Sequence, residues 1–170
     1  MAKKVGILVE YDFEDAELVY PYDRFQEAGF NTVLIGPKGG TQYKGKHGYP
    51  LISDVSSSDI SAQDLVALIM PGGWAPDRLR RDKKLVQLVK DMDTQEKTLA
   101  AICHGPWMLC SAKIIKGRHV TSFVAIKDDI ENAGGIFKDE PVVVDKNIIT
   151  SRTPRDLPVF CKAILKQIEE

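Results

Sequence analysis

Short apolar runs alternate along the chain with longer stretches in which apolar residues recur every three or four positions. KVGILV at 4–9 has no polar interruption, which predicts a strand buried on both faces. Residues 14–28 (EDAELVYPYDRFQEA) predict a helix, bent at Pro21 and closed by Gly29. NTVLIG at 31–36 reads as a second strand, and TQYKGKHGYPLI at 41–52 as a small hairpin punctuated by Gly45 and Gly48. The Ser-rich SDVSSSDIS at 53–61 reads as a surface connection. LVALIMP at 65–71 is a strand ending in Gly72-Gly73, and residues 82–95 a charged amphipathic helix. TLAAI at 98–102 is the next strand, followed by a helix over 105–115 that Gly117 stops. HVTSF, PVVVD and NIITS are further short strands, the last two joined by a turn at Asp145-Lys146. A helix over 154–168, with Pro154 near its first turn, closes the chain.

Apolar strands separated by helices imply parallel pairing through right-handed crossovers. The expected fold is an α/β doubly wound sandwich: a mostly parallel central sheet with helices on both faces, formed as one domain over residues 1–170. Such sheets bind ligands beyond the carboxyl ends of their strands. That directs attention to Glu10–Glu14, Gly72–Asp77, Cys103–Pro106 and the chain from Phe123 onward.

Composition narrows the function. With 170 residues, 44% apolar and 28% charged, the chain is ordinary for a soluble globular protein. The net charge of −1 and the lack of a basic run argue against nucleic acid as a partner. The start MAKKVGILVE has neither a signal peptide's apolar region nor its cleavage site, and VGILV is too short to span a bilayer, so no membrane role is expected. Three cysteines do not make a disulfide framework, and the expected address is the cytoplasm. His47, His104 and His119 are scattered without ligand spacing, so no metal is expected. The acidic VEYDFED after the first strand would repel phosphate, so no nucleotide cofactor is expected either.

The chemistry concentrates where an apolar strand meets Cys103-His104. Ala101 and Gly105, two residues before and two after Cys103, leave room for a tight strand–nucleophile–helix elbow. An N-terminal helix end there would favour the reactive thiolate, with a pKa below the roughly 8.5 of free cysteine. The free N–H groups of the elbow, His104 included, would hold an oxyanion. Gly72 and Gly73, ending the adjacent strand, let backbone N–H groups approach the same atom. Cys110 and Cys161 lie within apolar helical stretches and read as core residues. Acids cluster at 10, 12, 14, 15 and 17. Helix capping accounts for Glu14 and Asp15 but not for Glu10 and Asp12, one of which is expected to face the sulfur.

AICHGPWML, PGGWAPDRLRR, GKHGYP, IKDDIENAGG and SRTPRDLP resemble, in order, segments of the PfpI-like intracellular cysteine protease family, within the parkinsonism-associated deglycase superfamily. The resemblance runs nearly end to end and implies a flavodoxin-like, class I glutamine amidotransferase-like fold. It implies Cys103 as nucleophile, His104 beside it, and Asp12 as the acid on the sulfur. It assigns Asp77 of a neighbouring subunit as the acid orienting the histidine, in a homo-oligomer, a dimer or a hexamer built from dimers, with a shared active site. Phe123 stands where some relatives have a tyrosine. Peptidase or amidase, deglycase and metal-free glyoxalase activities follow from the family, on peptide or small carbonyl substrates and without a cofactor. A non-enzymatic redox-sensing stress protein or holdase is the alternative.

Overall fold

The structure is a computed structural model that describes residues 4–169. Its elements run β1 (Lys4–Leu8), α1 (Asp15–Glu27), β2 (Asn31–Gly36), β3 (Gln42–Lys44), β4 (Pro50–Ile52), β5 (Val55–Ser56), β6 (Leu65–Met70), α2 (Ala75–Leu79), α3 (Lys83–Thr94), β7 (Thr98–Ile102) and α4 (Trp107–Ala112). There follow β8 (His119–Val120), α5 (Lys127–Asn132), β9 (Ile136–Phe137), β10 (Val142–Asp145), β11 (Ile148–Ser151) and α6 (Leu157–Glu169).

A seven-stranded sheet in the order β10-β11-β7-β6-β1-β2-β5 carries the fold. Its pairings are parallel except for β10 against β11, which turn back on each other through Lys146 at φ 55°. Strands β1, β6 and β7 sit in the middle, and all of β7 is buried, as unbroken apolar sequence requires of a strand covered on both faces. Helices α1 and α6 pack on each other, as do α3 and α4. Chain order reverses direction between β1 and β6, so right-handed crossovers send these two pairs to opposite faces.

The 31–36 and 98–102 strands and the 41–52 hairpin lie where the hydrophobic pattern puts them. Helix α1 runs through Pro21, and Gly29 ends it at φ 87°. The differences are instructive. The 53–61 connection contains β5, which pairs with β2 at the sheet edge. HVTSF contributes only β8, which pairs with β9 in a separate two-stranded sheet. The last helix opens with a 3₁₀ turn at Pro154–Asp156. The helix expected over 105–115 is confined to Trp107–Ala112 and stops at Lys113, φ 59°.

Candidate active site

Three connections at the carboxyl end of the sheet are laced by backbone hydrogen bonds. Asp12, at φ 62°, turns the chain out of β1. Fully buried Phe13 then bridges Gly73, with Glu14 N–H donating to Gly72 O (3.2 Å) and Trp74 N–H to Asp12 O (2.9 Å). The β3–β4 loop joins through Lys46 N–H on Phe13 O (2.9 Å). Gly73, at φ 74°, is obligatory here: a Cβ would lie 2.4 Å from Glu14 N.

Cys103 follows β7 at φ 62°, a left-handed conformation that turns the chain sharply. Its N–H donates to Ser151 O (3.1 Å), and its carbonyl accepts from Phe123 N–H (2.9 Å). Gly105 passes so close to β6 that a Cβ would lie 2.2 Å from Met70 O, which is why a small residue stands two after the cysteine. The N–H groups of His104 and Gly73 are directed at the sulfur.

His104 Nδ1 lies 3.3 Å from Cys103 Sγ. The imidazole stacks on Phe123 (centroids 5.3 Å) and meets the edge of Trp107 (5.0 Å), so packing holds its plane. Trp107 is itself fixed by a hydrogen bond from Nε1 to Asp129 (3.0 Å). Burial and the Lys46 charge lower the His104 pKa, leaving a neutral ring able to accept a proton at pH 7.

The acid at the sulfur is Glu17. It is fully buried in the first turn of α1, accepts the Gly72 N–H at Oε2 (2.7 Å), and interacts with Cys103. Its buried Oε1 accepts no N–H or O–H donor among the described residues. Burial raises the Glu17 pKa to about 8. The Cys103 thiol is pushed up to about 12, first by burial and then by the Glu17 charge, while the His104 and Gly73 N–H groups pull it down. This opposes the lowered pKa expected from sequence. Helix α4 begins only at Trp107, four residues beyond the sulfur, so the helix end that was to favour the thiolate is not beneath it.

The structure corrects two assignments. Asp12 does not face the sulfur: its side chain is 41% exposed and pairs with Arg78 at 2.6 Å, because the left-handed turn at Asp12 directs it outward. Gly72 does not offer an oxyanion donor, since its N–H is committed to Glu17. Asp77 pairs with Arg81 on the surface of α2 and does not line the cavity at Cys103. Of the predicted residues the fold therefore brings together Cys103, His104 and Gly73, with Gly72 packed against the cysteine but its N–H committed to Glu17. Glu17 had a legible signal: it precedes Leu18 and lies one turn before Pro21 and two before Phe25, a carboxylate on the buried stripe of α1.

A cavity of about 280 Å³ opens over the sulfur, lined on its apolar side by Trp74, Phe123 and Pro154. Lys46 and Glu14, which pair with each other, also line it. Larger depressions of about 620 and 640 Å³, one beside Lys4 and Lys97 and one between α1 and α6, are lined by no cysteine or histidine. Among the described residues one trio, Glu14, Asp15 and His47, brings possible metal ligands within 4.8 Å of one another. Its carboxylates are already used, Glu14 by Lys46 and Asp15 by the N–H groups of His47 and Tyr49 (3.0 Å each). Cys161 is buried in the core and Cys110 half-buried against it. No helix among the described residues is long and apolar enough to cross a membrane.

Comparison with known proteins agrees with this architecture. The chain is 40% identical to the Bacillus subtilis protein named "Putative cysteine protease YraA", covering 99% of this chain and 100% of that one. It is 41% identical to protein/nucleic acid deglycase 2 of Escherichia coli, covering 98% of each. Among solved structures, a two-domain protein from Anabaena variabilis with DJ-1/ThiJ/PfpI-like and ferritin-like domains superposes with a TM-score of 0.97 at 40% identity. The match covers 98% of this chain but only 48% of that longer one. Residues 3–167 match the DJ-1/PfpI family, and the chain belongs to it.

Proposed function

We propose that this protein is a cysteine-nucleophile hydrolase of the PfpI type, acting on a peptide, amide or glycated carbonyl group without a cofactor. The carrying observation is the left-handed turn at Cys103, which sets the sulfur against two backbone N–H groups, a histidine nitrogen and a buried carboxyl. His104 Nδ1 takes the thiol proton as the sulfur attacks the carbonyl carbon. The N–H groups of His104 and Gly73 receive the oxyanion that forms, and protonated Glu17 offers a further hydrogen bond beside the sulfur. His104 returns its proton to the leaving group, and water releases the acyl group from sulfur. The relatives named as a cysteine protease and a deglycase support this class of chemistry.

The same residues support a metal-free glyoxalase reading, since addition of the thiolate to an aldehyde begins identically. They also support redox sensing: a sulfinate on Cys103 would accept from a protonated Glu17 and from the two N–H groups. We place the protein in the cytoplasm as a homo-oligomer in which Asp77 of a neighbouring subunit orients His104. The exposed Trp74, Arg78 of α2 and Arg81 just beyond it supply an interface of suitable composition.

The deciding assay compares wild type with Cys103→Ser on methylglyoxal, a glycated thiol and a chromogenic peptide amide. Turnover should fall at least about a thousandfold on the true substrate class. Equal turnover by both proteins overturns the nucleophile. Peroxide-induced mass gain at Cys103, without turnover of any substrate, favours the sensor.

A further inference from the structure

The GKHGYP loop between β3 and β4 delivers a cation to the nucleophile. The Lys46 backbone is tied to Phe13 O (2.9 Å), and Asp15 pins the rest of the loop by accepting from His47 and Tyr49 N–H (3.0 Å each). Gly45 passes so close to Asp15 that a Cβ would lie 2.5 Å from its carboxyl carbon. The loop is thus anchored to the first turn of α1, the turn that also carries Glu17. From this anchor the Lys46 ammonium reaches the same cavity as Cys103, and its charge is felt by Cys103, Glu17 and His104.

An ammonium has three donors, and Glu14 uses one of them. Glu14 and Lys46 cancel in charge, and Glu17 is neutral while it keeps its proton, so the cavity does not repel an anion. Opposite lie the apolar faces of Trp74 and Phe123. A volume of about 280 Å³ suits a substrate of a few heavy atoms.

We propose that Lys46 anchors a substrate carboxylate, so that the site prefers carbonyl compounds with a carboxylate next to the reacting carbon over neutral ones. This rests on Cys103 being the nucleophile. With the carboxylate held by Lys46, the sulfur adds to the neighbouring carbonyl carbon. The C–S bond forms, the carbonyl π pair moves to oxygen, and that oxygen takes up a proton. No oxidant or reductant is required.

Alkylation of Cys103 tests the anchor without requiring turnover. Rates with iodoacetate and iodoacetamide are measured by mass spectrometry of the Cys103 peptide, and their ratio is divided by the same ratio on glutathione. Any change in thiol ionisation affects both reagents alike and cancels. The corrected ratio should be raised about tenfold, the size of one charge-assisted hydrogen bond. Lys46→Met should return it to that of glutathione, and Lys46→Arg should retain it. Reversible hemithioacetal formation, read as protection of Cys103 from iodoacetamide, should favour glyoxylate over methylglyoxal in wild type, and that preference should fall in parallel in Lys46→Met. An alkylation ratio unchanged in a folded Lys46→Met overturns the anchor, even where Cys103-dependent turnover persists. A ratio that depends on Lys46 in a protein whose Cys103 is protected by neither aldehyde upholds the anchor and overturns the carbonyl chemistry instead.

Discussion

Replacing Glu17 with glutamine removes one ionisation and almost nothing else. The glutamine oxygen can still accept the Gly72 N–H, and its amide can stand where the carboxyl proton stood. In the unfolded chain Glu17 ionises near 4.5, whereas in the fold it keeps its proton to about 8. The native state therefore binds the extra proton between those values, and its stability falls as pH rises through that window. At about 1.4 kcal/mol per unit, the shift from 4.5 to about 8 costs the fold at most roughly 4–5 kcal/mol. Glu17→Gln should escape that loss. Near pH 5 its stability should match wild type, and by pH 8 it should exceed wild type by several kcal/mol. Urea unfolding at pH 5, 6.5 and 8, followed by tryptophan fluorescence, measures the difference. Alkylation gives a second readout: without the Glu17 charge, the Cys103 midpoint should move down from its raised wild-type value. Stability curves that stay parallel across the three pH values would refute the assignment of a buried, protonated Glu17.

Gly72→Ala would place a Cβ 2.6 Å from Glu17 Oε2 and 2.8 Å from Cys103 Cβ. Displacing both groups should cost about 1–3 kcal/mol in stability and about a hundredfold in turnover, read by unfolding and kinetics on one preparation. Asp12→Asn breaks a half-exposed pair with Arg78, so stability should change by less than about 1 kcal/mol and Cys103 alkylation should keep its pH profile. A displaced profile would restore Asp12 to the sulfur. If Asp77 acts across subunits, mixing inactive Asp77→Ala with inactive Cys103→Ser should recover activity in the interfaces that pair an intact Cys103 with an intact Asp77. Failure of folded, subunit-exchanging mutants to complement rules the shared site out.

The fold was largely legible because it rests on local pattern. Unbroken apolar runs such as ILV and TLAAI can be satisfied only by strands covered on both faces, and helical periodicity between them leaves parallel crossovers as the solution. The elbow was legible too, since Gly105 after Cys103 reports a steric need that the close approach of Met70 O bears out. The weak elements escaped. β5 and β9 are two residues each and exist because β2 and β8 offer an edge, not through any propensity of their own. The identity of the sulfur's acid also depended on tertiary structure. Five acids crowd residues 10–17, and the left-handed turn at Asp12 decides between them, sending that side chain to Arg78 while α1 turns Glu17 inward beneath Gly72. The protonation of that pair is likewise a property of the packed fold. Burial away from water raises both pKa values, and the Glu17 charge raises that of Cys103 further, yet the sequence holds the two groups 86 positions apart with nothing to show that they meet.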